Sequence, residues 1–374
     1  MDTNITIKDI QKNNYAATYH LLYQNEKLSK QEIANQLQLS LPTVTRNLTR
    51  LEKESLIEKN GYFQSSVGRP AVAYSTIPKA YSCIGVEIQE NRVRILAIDL
   101  YGNPFEQTEL EFHYSNDSHY YKVLSSYITT FIKSLKLTKK QVLGISFAIQ
   151  ALTSNDGQKI TYGKILNCTG LDIHVFSQYL DYPCMFVHDA KCAAFKEMWV
   201  RKDLENALYL SIGPHLGGAV IINRQIYMGK EGLSGTFEHM TLLPNGPACY
   251  CGKKGCMETY SSVNALLKEE ETLDIFFKQV RSDVSSYVKR WYSFLDHLAF
   301  AISNLHLVIN REVILGGHIS PYLNEQDIEI LHDKIHQESP FPIKEPFISI
   351  SQAQEDSVAT GAAIPFIQSF LDDI

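Results

Sequence analysis

One short stretch limits this chain more than any other. Cys249, Cys251 and Cys256 stand within eight residues, with C-x-C and then C-x4-C spacing. Gly252 and Gly255 lie between the last two, and glycine lets the backbone turn tightly enough for three sulfurs to face one point. His239, ten residues upstream, can supply a nitrogen as fourth ligand. A closed Cys3His shell is the pattern of a structural Zn2+, here one per chain, rather than a catalytic one. The alternative is three reduced thiols packed in a core, which clustered cysteines on a turn rarely are.

The same run, His239 and then Cys249-Tyr250-Cys251-Gly252-Lys253-Lys254-Gly255-Cys256-Met257-Glu258, resembles the zinc signature of the ROK family, H-x9-C-x-C-G-x2-G-C-x-E. That family unites bacterial sugar-responsive repressors, sugar kinases and their relatives. The rest of the chain must say which branch it resembles.

The chain has 374 residues, enough for two or three domains, and 20% of them are charged, as in an ordinary globular protein. No apolar run is long enough for a membrane span, and residues 1–12 lack the apolar core of a secretion signal. The other cysteines, Cys83, Cys168, Cys184 and Cys192, are scattered in apolar context, which fits a reducing cytoplasm. The net charge of −6 is uneven. Residues 1–79 hold ten Lys/Arg against seven Asp/Glu, and the remainder holds 25 against 34. A mildly basic segment on an acidic body points to a polyanion as partner of the N-terminal part.

Within that part, Tyr15, Tyr19 and Leu22 recur at helical spacing. Ser29-Lys30-Gln31-Glu32 is a capping box that opens a second helix with Ile33, Ala34 and Leu37 on its apolar face. Ser40 can cap a third helix, with Pro42 tolerated in its first turn. Val44, Leu48 and Leu51 face inward there, and the spacing places Thr43, Thr45, Arg46, Asn47 and Arg50 outward. Two short helices around a tight turn, the second presenting hydrogen-bonding side chains, form a helix-turn-helix for double-stranded DNA. The extended stretches at Leu56-Ile57 and Val72–Ser75, joined through Gly68-Arg69-Pro70, read as a wing that sends Arg69 into a minor groove. A small protein-interaction domain is the alternative. The segment also resembles the DNA-binding domain of the family's repressor branch, which its kinases generally lack.

Beyond residue 79, strands are expected at 84–88 and 93–99 as a hairpin, then at 141–149 and 185–187. A second round follows at 207–212, 219–222 and 313–315, with helices such as 120–135 and 291–309 between. Hairpins followed by alternating strands and helices, twice over, suggest two α/β lobes. The resemblance implies an actin-like (ribonuclease H-like) body with a cleft between the lobes, preceded by the α+β winged helix. The domains are then 1–79, 80–190 and 191–374, with a C-terminal helix able to return to the first lobe.

Kinases of this family hold ATP phosphates on glycine-rich turns, because only glycine lets amides approach phosphate closely. The first, D-x-G-G-T, aligns with Glu87-Ile88-Gln89-Glu90-Asn91, which has no glycine. The second, G-T-G-x-G, aligns with Gly213-Pro214-His215-Leu216-Gly217, where proline removes a donor. Gly316-Gly317 survives near where the family seats a base, and equally suits a packed turn. On the sugar side, N-D-A reads His188-Asp189-Ala190, and G-E-x-G-H reads Gly235-Thr236-Phe237-Glu238-His239. The resemblance implies a ligand site of Asp189, Glu258 and His239, with His188 beside Asp189 and Glu238 able to replace the glutamate lost at Thr236. Alternatively Asp189 only caps the following helix and Glu258 is solvated.

The expectation is a cytoplasmic, zinc-bearing transcriptional regulator, a repressor of carbohydrate-utilisation genes. Its partners would be operator DNA, a sugar or sugar derivative, and a second copy of itself in a homodimer or higher oligomer. Its rivals are a sugar kinase that acquired a DNA-binding domain, and an effector-independent DNA-binding protein with a vestigial cleft.

Overall fold

The computed structural model describes residues 6–64, 70–353 and 357–374. The N-terminal helix α1 (Ile7–Gln24) begins at a Thr6–Asp9 capping box. A two-residue strand β1 (Leu28–Ser29) runs into α2 (Lys30–Leu37), where Ser29 and Glu32 cap one another: the Ser29 amide donates to Glu32 at 2.7 Å and the Glu32 amide to Ser29 at 3.2 Å. Gln38, at φ 53°, ends α2, and Ser40 opens α3 (Leu41–Lys53) by accepting from the Thr43 amide. Strands β2 (Ile57–Tyr62) and β3 (Val72–Thr76) then pair antiparallel, with β1 on the other side of β3. This is a helix-turn-helix followed by a winged sheet. The tip between β2 and β3, with Arg69, lies outside the described residues.

The first lobe carries β4 (Ser82–Ile88), β5 (Arg92–Ile98) and β6 (Pro104–Glu111), then α4 (Ser118–Ser134) and β7 (Val142–Ile149). After the small hairpin β8 (Leu152–Thr153) and β9 (Ile160–Tyr162) come α5 (His174–Ser177), β10 (Cys184–His188) and α6 (Asp189–Val200). The sheet order is β10-β7-β4-β5-β6. β4, β5 and β6 are antiparallel neighbours, whereas β7 and β10 add in parallel. Beyond the expected hairpin, β6 is an added edge strand; it alternates exposed and half-buried residues, so its apolar signal is weak.

The second lobe repeats this order. β11 (Ala207–Ile212), β12 (Leu216–Ile222) and β13 (Gln225–Ile226) are antiparallel. The chain continues through α7 (Glu258–Ser261), α8 (Val263–Leu266), α9 (Leu273–Arg281) and α10 (Ser285–Val308) to β14 (Glu312–Gly316). After α11 (Glu325–Glu338) it adds β15 (Ile348–Ile350), giving the order β13-β12-β11-β14-β15. β14 and β15 join in parallel, as β7 and β10 do. The last helix, α12 (Ser357–Asp373), leaves this lobe. It packs against α6, β4 and β7, and Gly361 lies so close to the Cys192 carbonyl of α6 that a Cβ there would collide with it.

Each lobe has its own apolar core. Trp291, Phe276 and Leu295 centre the second, and Phe147, Phe176 and Ile128 the first. A third cluster joins α1 and α3 of the winged helix to β4, β5 and α12: Tyr19, Leu22 and Leu51 pack with Cys83, Leu96 and Ile364. The winged helix is therefore seated on the first lobe by buried apolar surface, the main favourable term in association.

Candidate functional site

In α3 the outward face carries Thr45, Arg46, Thr49 and Arg50, with Thr43 half-buried near its start. Asn47 departs from expectation. It is 3% exposed, and its amide donates to the Asn14 carbonyl and to Thr18 Oγ1, each at 3.0 Å. With Val44, Leu48 and Leu51 it completes the inward stripe of the helix. Asn47 joins α3 to α1 and is removed from the set that can touch a base. Arg50 is partly occupied: its guanidinium pairs with Glu54 at 2.8 Å and lies 4.0 Å from the Tyr15 ring centre. Thr49, three residues after Arg46, shares the exposed face and adds a residue that the spacing alone also marks.

The cysteine run folds back on itself as its glycines suggest. Gly252 and Gly255 take φ +91° and +73°, and a Cβ on Gly255 would strike the Leu243 carbonyl. The Cys249 amide donates to Lys253 at 2.8 Å, closing the loop. The three sulfurs and a His239 ring nitrogen lie within 4.8 Å of one another. Cys251 Sγ is 3.7 Å from Cys256 Sγ, and Cys249 Sγ is 3.8 Å from His239 Nδ1. Ligands about 2.3 Å from a tetrahedral metal stand about 3.8 Å apart. Those two spacings match such an ion, and the remaining donors stand close enough to join it with a small adjustment.

His239 also lines the interlobe cleft, together with His188, Asp189, His215, Glu238 and Tyr250. The cleft is narrow, with only about 40 Å³ of free space between its walls. Asp189 is the first residue of α6, where the helix dipole favours a carboxylate. Its side chain keeps 29% of its surface open, but it is set deep in the cleft wall. Desolvation there, with Glu87 nearby, pushes its carboxyl up to about 7, against the opposing Ala190 amide that donates to it at 2.7 Å. Burial, then Lys191, holds the His188 ring down to about 3, and its Nδ1 has no hydrogen-bond partner among the described residues. Glu238 is buried, which raises its carboxyl to about 8, and its Oε2 is likewise without a partner there. A buried polar atom left unpaired inside a cleft wall costs free energy that a ligand can recover.

Glu258 behaves otherwise. Its Oε1 receives His215 Nδ1 at 2.7 Å and its Oε2 the Leu216 amide at 2.7 Å, so both oxygens are engaged. The residue expected as a ligand thereby ties down the β11–β12 turn. That is where a phosphate loop would lie, and the turn has spent the Leu216 amide on its own glutamate. At the other such turn, Gln89 donates to Glu87 at 2.6 Å. Gly316 and Gly317 pack directly on Tyr209 and Ile212, where a Cβ would not fit. Thr236 is spent on the Leu233 carbonyl at 2.9 Å. Lys191 passed unnoticed in the sequence: it is fully buried, and its Nζ donates to the Gly232 carbonyl at 2.6 Å.

Two α/β lobes of like topology, a cleft between them and a winged helix seated on the first define a two-lobed, actin-like body that carries a helix-turn-helix domain. A ROK family model matches residues 83–368, and the chain belongs to the ROK family. A MarR family model matches residues 19–60, over the helix-turn-helix. The xylose repressor of Bacillus subtilis (strain 168) is 30% identical over 257 residues, 67% of this chain and 66% of that protein. The transcriptional dual regulator NagC of Escherichia coli (strain K12) is 26% identical over 275 residues, 72% of this chain and 67% of that protein. The chain thus spans about two thirds of the length of these relatives. Among solved structures, a ROK family transcriptional regulator, homolog of the E. coli MLC protein, superposes with TM-score 0.76 at 20% identity and covers 97% of both chains. A ROK glucokinase from Streptomyces griseus, in complex with glucose and AMPPNP, gives TM-score 0.65 at 16% identity over 76% of this chain. These likenesses establish the two-lobed fold.

Proposed function

We propose that this protein is a DNA-binding transcriptional repressor that responds to a sugar or sugar derivative held in the interlobe cleft. One observation carries the reading. The cleft retains an acidic wall with unpartnered buried atoms at Glu238 and His188, while its phosphate-side turn is closed by Glu258 on His215 and the Leu216 amide. A site that can hold hydroxyls but cannot cradle a phosphoryl donor is a sensor, since a base without a positioned donor transfers nothing. Relatives named for xylose and N-acetylglucosamine repression support the carbohydrate class.

In this reading Asp189, Glu238, His188 and His239 face the effector. Thr43, Thr45, Arg46 and Thr49 face the operator, Arg50 meets phosphate, and Arg69 enters a minor groove from the wing. His239, Cys249, Cys251 and Cys256 hold one Zn2+, which supplies folding free energy to the loop behind the cleft. The protein acts in the cytoplasm as a homodimer on a palindromic site.

The test is an anisotropy titration of the protein on a duplex it selects from random sequence, with D-xylose, N-acetylglucosamine and their phosphates added in turn. One of these should change the operator affinity, and Glu238→Gln should remove the response. A sugar-dependent ATP turnover that Asp189→Asn abolishes would overturn the reading in favour of a kinase.

A further inference from the structure

We infer that α6 is a lever between the interlobe cleft and the DNA-binding domain, latched at its first turn by Lys191 and clamped at its last by Trp199. The inference rests on reading the cleft as the effector site and concerns how occupancy is transmitted.

At the cleft end, Lys191 Nζ donates to the Gly232 carbonyl at 2.6 Å. The loop holding Gly232 belongs to the second lobe but rests on the first. The backbone of Gly232 abuts the Thr153 carbonyl, and the Asn155 amide donates to the Gly229 carbonyl at 3.2 Å. Lys191 is thus bonded to the loop that closes one lobe against the other.

The body of α6 is packed on both lobes: Ala193, Ala194 and Met198 lie with Tyr209, Ala219 and Ile314 of the second, and Cys192 with Ala148 and Val187 of the first and Ala362 of α12. Glu197 is buried and accepts from Ser351 Oγ at 2.6 Å, from the Ala353 amide at 2.9 Å and from the Gln352 amide at 3.2 Å. Arg201, just past the helix, holds Glu312 through two bonds of 2.8 and 2.9 Å. A helix of twelve residues is about 18 Å long and bends little.

At the far end α6 grips the first lobe. Trp199 Nε1 donates to the Tyr101 carbonyl at 2.6 Å, and Lys196 Nζ to the Gly102 carbonyl at 3.3 Å. That turn is stiff, because Asp99 accepts from the amides of Tyr101 and Asn103 at 2.9 and 3.0 Å. The Tyr101 ring stacks on Tyr23 of α1, centroids 4.4 Å apart and planes 6° from parallel. Their hydroxyls cross-bond: Tyr101 to the Tyr23 carbonyl at 3.1 Å, Tyr23 to the Leu100 carbonyl at 2.6 Å. From α1, Asn14 and Thr18 reach Asn47 of the recognition helix. Rotation of one lobe against the other strains α6 between its two packed faces and loads the Trp199–Tyr101 contact, and with it the seat of α1. Motions of this kind pass through packed elements with discrete arrangements.

Amide hydrogen exchange on the full chain, with no sugar added, tests the lever. The forms compared are the unaltered protein, Lys191→Met, Trp199→Phe and the double variant. Lys191→Met keeps a long stem but cannot donate to Gly232, and Trp199→Phe keeps a ring but cannot donate to Tyr101. Lys191→Met should speed exchange in α1 by roughly threefold or more, as well as in residues 229–232. In the Trp199→Phe background the response at 229–232 should remain and that of α1 should vanish. Asn155→Ala, at an exposed site, loosens the same latch should Lys191→Met fail to fold, and unchanged exchange in α10 rules out global loosening. An α1 that ignores both latch variants, or responds equally with Trp199→Phe, overturns the lever. Because no sugar enters, an error in the effector reading leaves this outcome untouched. Conversely, sugar binding with a silent α1 removes the lever and keeps the sensor.

Discussion

Replacing Asn47 by alanine separates two accounts of the third helix. Its amide makes two hydrogen bonds at 3.0 Å, one to the part-buried Asn14 carbonyl and one to the buried Thr18 Oγ1. A buried hydrogen bond contributes about 0.5–1.5 kcal/mol net, so losing two should cost roughly 1–3 kcal/mol. The lower half of that range is expected, because Thr18 Oγ1 still donates to the Asn14 carbonyl at 2.7 Å and keeps it satisfied. Denaturant unfolding followed by exchange of α1 and α3 amides reads this loss directly. In DNA titrations Asn47→Ala should weaken operator and random duplexes by a similar factor, because the helix loosens on its support. Arg46→Ala should instead relax the preference at one base pair, by about 1–3 kcal/mol. If Asn47→Ala leaves stability unchanged and relaxes specificity at a single position, the side chain turns outward on DNA and the packing argument fails.

Elemental analysis should find one zinc per chain in the protein, and none in Cys251→Ser, which should also melt at lower temperature; a metal-free protein of undiminished stability would refute the Cys3His assignment. Asp189 titrates near 7 in the folded chain, well above its ordinary 3.8, so the fold holds its proton more tightly than the unfolded chain does. Stability tied to that proton is fully present below pH about 4 and is lost as pH rises to about 7. Asp189→Asn should therefore raise the melting temperature at pH 8 and leave it unchanged near pH 4; a gain equal at both values would contradict the burial account.

The cysteine loop was legible because sulfur spacing and glycine turns are local. The helix caps at Ser29 and Ser40 were legible for the same reason. Asn47 was not: polarity argued for the surface, but its position in the 44-47-48-51 stripe argued for the interior, and partners on α1 settled the matter. The tie from Glu258 to the β11–β12 turn was not legible, because a carboxylate's partner here is the Leu216 amide 42 residues away. Lys191 escaped notice since its partner, Gly232, lies 41 residues on. The strand β6 was missed because an edge strand with one wet face lacks an apolar run. Long-range pairing of polar groups, rather than element type, is what a linear reading loses.

The placement of α12 has a consequence for how the protein is made. Its aromatic Phe370 packs on Tyr19 and Tyr81, and its backbone lies on α6. A chain emerging from the ribosome N-terminus first presents its helix-turn-helix early, but part of its apolar seat stays open until the 17 residues of α12 have been made. A chain cut short before Ser357 therefore carries α1–α3 without that part of their mount and leaves Tyr19 and Tyr81 without the Phe370 ring that packs on them.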